Sequence, residues 1–249
     1  MEYVETVDIR KKQPGVTFLG KQEEILQEYN RARMNEQAVS VERVHFYKTD
    51  KRVNPKQEDP FWIALGQLPV LVSAPHAVRH FRQKKIKVSD EFTGSIAYLL
   101  SKLTGCHGIA TTKLYGGDPN VDQPCIYKEK IAEICKREKV KFILDIHGAA
   151  RERDFDVDFG TNGGKNLLVK TKILAMVERN FQEFGLNRIS TDYFAASGSN
   201  TIANYVAREL KIPALQIEIN KQFRVPGQNP QGFHRLLGAL VESVKELAQ

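Results

Sequence analysis

The chain has 249 residues, of which 41% are hydrophobic and 27% charged, with a formal net charge of +7. That length suits one large domain with a substantial core, and the composition is that of an ordinary globular protein. No apolar run is long enough for a bilayer span. The opening MEYVETVDIRKK lacks the apolar stretch of a signal peptide, so a cytoplasmic location is expected.

GKQEEILQEYNRARMNEQ reads as a helix, with Ile25 and Leu26 apolar, and VERVHFYK as a short strand in which Val44, Phe46 and neighbouring β-formers alternate. RVNPKQEDP is a polar loop. Residues 1–60 are thus expected to be an N-terminal extension packed on the domain, with a structure the pattern leaves undefined. FWIALGQLPVLVSAP holds two strand-like runs with a break near Gly66, and its second half, LPVLVSA, is apolar enough for a strand covered on both faces. TGSIAYLLSKLT follows as a helix through Ile96, Leu99, Leu100 and Leu103. GIATTK is a strand, and KEKIAEICKREK a helix through Ile131, Ile134 and Cys135. VKFILDI is a strand and KILAMVERNFQEF a helix through Ile173, Val177, Phe181 and Phe184. SNTIANYVAREL is a helix that Ser199 or Asn200 could cap. ALQIEIN alternates strictly, and FHRLLGALVESVKEL closes the chain as an amphipathic helix. Strands alternating with helices imply one α/β domain with a mostly parallel sheet and helices on both faces.

Cys106, Cys125 and Cys135 form no C-x-x-C pair, and the odd count points to free thiols. The basic residues are scattered, with only KKIK at 84–87 locally dense, so neither a nucleic-acid nor a membrane partner is indicated. The positive charge suits attraction of a small anionic substrate.

In open α/β sheets, ligands sit beyond the C-terminal ends of the strands. Three strands end there in unusual polar residues: His76 in VLVSAPHAVRH, Asp145 and His147 in FILDIHGAARERD, and Glu218 in ALQIEIN. Gly148 after His147 allows close backbone approach. A carboxylate inside an apolar strand is costly unless paired or bound to metal. Taken together these residues read as a metal site. A catalytic zinc needs a third ligand and an open position, and KVSDEFTGSIAYLL supplies Asp90 and Glu91 where the next helix begins. Asp145 suits the role of a partner that orients His147. GTNGGK at 160–165 does not match a phosphate loop and reads as a turn beside the pocket. SGSN at 197–200 is no nucleophile elbow. His45, His80, His107 and His234 find no partner in the pattern.

SAPHAVRHFR, KVSDEFTGSI, DPN, LDIHGAARERDFDVDFGT and LQIEINKQFR, in this order over roughly residues 68–225, resemble the N-formylglutamate amidohydrolase family. The resemblance implies the three-layer α/β/α sandwich of zinc carboxypeptidase-like and aspartoacylase-like hydrolases, with a mixed, mostly parallel sheet. It implies one Zn2+ per chain held by His76, His147 and either Asp90 or Glu91. Asp90 is favoured because it stands three residues before Thr93, as in the family pattern. Glu218 would be the general base for water at the metal, and the reaction would be cleavage of the amide bond of an N-acyl amino acid. The D-L-N-R segment that grips a substrate carboxylate in the relatives is here DPNV. Asn120 is kept and the arginine is lost, which leaves Arg79, Arg82, Arg151 and Arg153 as candidates to replace it. The alternatives are a metallo-carboxypeptidase-like hydrolase of a small peptide or other N-acyl compound, and a non-catalytic basic binding protein.

Overall fold

The computed structural model describes residues 18–47, 53–55 and 58–249. The opening MEYVETVDIRKK and parts of the 52–60 loop lie outside them. Helix α1 (Phe18–Val41) runs into a π-helical turn, Glu42–Phe46. There follow strands β1 (Phe61–Ala64), β2 (Leu68–Ala74), β3 (His80–Arg82) and β4 (Lys85–Lys87), then α2 (Thr93–Thr104), β5 (Cys106–Thr111), α3 (Ile126–Glu138) and β6 (Phe142–Ala149). The second half contributes β7 (Val157–Gly160), α4 (Thr171–Glu183), β8 (Ile189–Thr191), α5 (Ile202–Tyr205), β9 (Ala214–Asn220), α6 (Lys221–Arg224) and α7 (Pro230–Leu247).

Seven strands form one sheet in the order β1-β5-β2-β6-β9-β7-β8, while β3 and β4 make a separate hairpin. The centre, β5-β2-β6-β9, is parallel, and the antiparallel pairs β1–β5 and β7–β9 flank it. The sheet is therefore mixed and mostly parallel, with helices on both faces. Alternate residues of a strand point to opposite faces, and the core divides accordingly. Val70, Val72, Phe142, Leu144, Ile146, Leu215, Ile217 and Ile219 are buried with residues of α1, α2, α4 and α7. Leu71, Ile143 and Ala214 are buried with residues of α3 and α5. The three cysteines are free and buried. Among the described residues no helix is long and apolar enough to cross a membrane.

Two expected elements differ. VERVHFYK, expected as a strand, is instead the π-helical end of α1, its last residue lying outside the described set. Val41, Glu42 and Phe46 are buried and Val44 is exposed, a helical spacing and not a period of two. Glu42 draws the turn inward, its carboxylate accepting from the Phe92 amide (3.0 Å) and the Ser95 hydroxyl (2.6 Å). A segment with no assigned role in the sequence thus caps α2. The helix expected over SNTIANYVAREL starts late, at Ile202, and turns π-helical over Val206–Leu210. Neither Ser199 nor Asn200 caps it. Asn200 donates to the Val121 carbonyl (2.8 Å), and the Ile202 amide is met by Asn120 Oδ1 from another loop (2.9 Å). Strand β7 is not legible in the pattern because Asp156 and Asp158 interrupt its apolar residues, and β8 because it is only three residues long. Both aspartates are buried, and they accept from loop amides, Asp156 from Asn187 and Arg188 and Asp158 from Tyr193 and Phe194.

Candidate metal centre

Strands β2, β6 and β9 change character along the face that α3 and α5 cover. Leu71 gives way to Ser73, Ile143 to Asp145 and then His147, and Ala214 to Gln216 and then Glu218. Register aligns these changes, pairing Ser73 with Asp145, Asp145 with Gln216 and His147 with Glu218. Helix α5 has only four residues before its π turn, so the polar ends of the strands open onto a cavity of about 530 Å³.

His76 lies two residues beyond β2, and its carbonyl accepts from the Asp90 amide (2.8 Å). The chain then turns through Phe92, in the left-handed region at φ 68°, before α2 begins. The Thr93 hydroxyl closes the turn on the Asp90 carbonyl (2.8 Å). This turn aims the two acids in different directions. Asp90 Oδ2 is 3.6 Å from His76 Nδ1 and 3.6 Å from His147 Nδ1. Glu91 instead pairs with Lys221 at 2.8 Å and is not among the three donors that converge.

His76, Asp90 and His147 each offer one donor atom, and the three atoms lie within 4.8 Å of one another. The far nitrogen of each ring is backed by a carboxylate. His76 Nε2 is 2.9 Å from Asp118 Oδ1, and His147 Nε2 is 3.0 Å from Asp145 Oδ2. Such partners hold the proton on Nε2 and leave the Nδ1 lone pair to bind. Asp145 and His147 can meet directly because residues two apart share a strand face. Asp145 is held in turn by the Ser73 hydroxyl (2.8 Å), which lies 3.1 Å from the Tyr127 hydroxyl, and Tyr127 donates to the Ile109 carbonyl (3.0 Å).

The titration of these groups fits a cation site. Burial opposes charge on His76, but hydrogen bonds with Asp118 and Asp90 outweigh it and raise its pKa. Burial likewise opposes charge on His147, and Asp145 and Asp90 raise its pKa well above the usual value. Burial works to raise the Asp90 carboxyl, but the two histidines hold it far below the ordinary range. The cluster thus draws in positive charge, here as protons. Two neutral imidazole nitrogens and one carboxylate, open on the cavity side, are a donor set that zinc accepts. Glu218, on the cavity wall beside His147, is pushed up to about 7, chiefly by burial. Its Oε1 accepts from Gln216 Nε2 at 3.3 Å.

The other expected residues are spread around this centre. Asn120 lines the cavity, its Nδ2 lying 3.3 Å from His147 Nε2. Arg82 also lines it and donates from Nε to Asp118. Arg153 lines it too, bonded to the Tyr193 hydroxyl at 2.7 Å. Arg79 and Arg151 border a second cavity instead. Asn120, Arg82 and Arg153 therefore share a cavity with both histidines and Asp90, whereas Arg79 and Arg151 share theirs with Asp90 alone of the three. The GTNGGK turn folds around Asp192, which accepts from the amides of Thr161, Asn162 and Gly163, and contributes nothing to the cavity lining.

Several residues at the centre had no assigned role in the sequence. Asp118 orients His76, and its place in DPN was the available signal. His80 stacks on His76, centroids 4.0 Å apart, with its pKa lowered to about 4, first by burial and then by the neighbouring His76. Arg224 packs on Gly148 so closely that a Cβ there would collide with its guanidinium. The freedom of approach expected at Gly148 is thus used by a side chain. Its φ is not in the left-handed region.

No protein-family profile and no curated protein matches the chain. Among solved structures it is similar to N-formylglutamate amidohydrolase from Ralstonia eutropha JMP134, at 15% identity and a TM-score of 0.59, over 77% of this chain and 97% of that one. It is also similar to a gene product of Agrobacterium tumefaciens, at 10% identity and a TM-score of 0.52, over 80% of this chain and 98% of that one. At such identities the likeness is one of fold, and the fold is the one that the sequence resemblance implied.

Proposed function

We propose that the protein is a metal-dependent hydrolase that cleaves the amide bond of an N-acyl amino acid, a compound of the N-formylglutamate kind. The observation that carries this reading is the convergence of His76 Nδ1, His147 Nδ1 and Asp90 Oδ2 beside the half-buried Glu218. His76, His147 and Asp90 would hold one zinc ion. Zinc supplies Lewis acidity and makes water acidic enough to lose its proton near neutral pH.

The protein's own groups do the rest. Glu218, whose carboxyl burial pushes up to about 7 in the metal-free protein, takes the proton of the attacking water and passes it to the leaving nitrogen. A carboxylate poised near the working pH suits both transfers. Gln216 orients the Glu218 carboxylate. Asp118 and Asp145 keep the two imidazoles turned with Nδ1 inward. Asn120, Arg82 and Arg153 line the space where the acyl compound binds.

The test is hydrolysis of a panel of N-formyl and N-acetyl amino acids and dipeptides by zinc-loaded protein, stripped protein and Glu218→Gln. Turnover of an N-acyl amino acid that needs zinc and falls roughly 100- to 10,000-fold in Glu218→Gln supports the reading. Turnover confined to dipeptides moves the protein to the peptidase alternative. No zinc-dependent turnover of any amide refutes a hydrolase and favours a binding protein.

A further inference from the structure

A second cavity, of about 600 Å³, lies beside the first, and Val88, Asp90, Gly148 and Ala150 line both. Its wall includes Arg224, only 5% exposed, at the end of α6 directly after β9. Arg224 Nε and Nη1 are sealed from solvent and donate to nothing among the described residues. A buried donor left unpaired is costly, and native structures satisfy nearly all of them. The guanidinium lies against Gly148, next to the metal ligand His147, in space that any other residue at 148 would fill.

We propose that Arg224 binds a carboxylate of the substrate, seating an acidic end in the second cavity while the scissile amide faces Glu218. The reaction so described rests on the hydrolase reading, but the binding does not. A planar guanidinium matches a planar carboxylate, which can accept two of its N–H groups at once. The charged lining of the same cavity is balanced, Glu42, Asp90, Glu91 and Glu152 standing with Arg79, Arg151, Lys221 and Arg224. Asp90, Glu91, Glu218 and Glu42 all favour the charge on Arg224, yet none of them hydrogen-bonds it. A cation held by His76, Asp90 and His147 offsets that negative field. The anion therefore binds more tightly to the zinc-loaded protein than to the stripped one.

Calorimetric titration of the zinc-loaded full chain with glutarate, and with its neutral diamide glutaramide, tests this. Glutarate is expected to bind, and glutaramide to bind roughly 10- to 100-fold more weakly, the worth of hydrogen bonds to a charged group. Arg224→Gln is expected to weaken glutarate binding by a similar factor. Arg224→Lys keeps the charge and most of the volume, so it serves if the glutamine variant does not fold. It too should lose about 10-fold, because it lacks the planar donor array. Wild-type protein that does not distinguish glutarate from glutaramide overturns the proposal, as does a folded Arg224 variant with unchanged glutarate affinity. Protein that binds glutarate through Arg224 yet cleaves no amide refutes the hydrolase reading and leaves this site standing.

Discussion

The two faces of the central sheet are made by alternate residues of the same strands, and they differ in one respect. Under α1, α2, α4 and α7 the face is apolar from end to end, with Val70, Val72 and Ala74 in β2, Phe142, Leu144 and Ile146 in β6, and Leu215, Ile217 and Ile219 in β9. Under α3 and α5 it is apolar only at the start of each strand, and becomes Ser73, Asp145, His147, Gln216 and Glu218 toward the end. Burying those groups is unfavourable unless each finds a partner. Asp145 finds Ser73 and His147, and Glu218 finds Gln216. The continuous apolar face packs the helices onto the sheet, and the interrupted face carries the cluster proposed to hold the metal. Substitutions on the two faces should therefore separate stability from metal binding.

The largest effect is expected at the ligands. His76→Ala and His147→Ala should each lose most of the bound zinc and with it about three orders of magnitude or more in activity, since removing even one stabilising donor costs roughly 100- to 1000-fold. Elemental analysis of folded variants measures this, and full zinc content in either one breaks the comparison. Next come the residues behind the ligands. Asp118→Asn and Asp145→Asn should weaken zinc binding about 10- to 100-fold, read by competition with a chromophoric chelator. Ser73→Ala, one step further back, should cost less than either. An effect of Ser73→Ala equal to that of Asp145→Asn would mean that the hydroxyl and not the carboxylate sets the ring.

On the apolar face, Leu144→Ala should cost about 2–5 kcal/mol of stability and leave the zinc affinity of the folded protein within a few-fold. Denaturant unfolding and zinc competition on the same sample separate the two quantities. A large loss of zinc affinity in Leu144→Ala would show that the faces are coupled.

The smallest effect is a dependence on pH. In stripped protein the Glu218 carboxyl is raised to about 7, chiefly by burial. The folded state then keeps a proton that the unfolded chain has released above the ordinary carboxylate range. Where the folded state binds more protons, stability falls as pH rises. The contribution is whole below about pH 4.5 and is lost by about pH 7. The raised His76 and His147 extend the loss upward from 6.5. Saturating zinc should reverse the trend, because its ligands must be deprotonated to bind. Below pH 6.5 the lowered His80 works in the opposite direction, so thermal unfolding is compared from pH 6.5 to 8, where the chelator and zinc series should give slopes of opposite sign. A flat profile with chelator would contradict the raised values.

Much of this centre was legible because strand endings carry a local signal. His76 and His147 stand at or beyond the ends of apolar runs, Glu218 on the polar side of an alternating strand, and Asp90 and Glu91 at the start of a helix. Period-two alternation placed Asp145 on the same strand face as His147. Other parts carried no such signal. Asp118 is separated from His76 by 42 residues and sits in a loop, where no periodicity constrains it. Glu42 belongs to a segment whose loosely alternating β-formers read as a strand, and its role becomes clear only against α2. Arg224 looks like any surface arginine until Gly148 is seen beneath it.

The sequence by itself determined the α/β class, the parallel centre of the sheet and the edge at which polar groups gather, because hydrophobic periodicity is a property of neighbouring residues. Tertiary structure alone brought Asp90 and not Glu91 beside the two histidines, put Asp118 against His76, divided the arginines between two cavities and set Arg224 against Gly148. Those choices turn on distances between segments far apart in the chain. Such distances are set by strand register and by the turn through Phe92, and neither is written in any single stretch of residues.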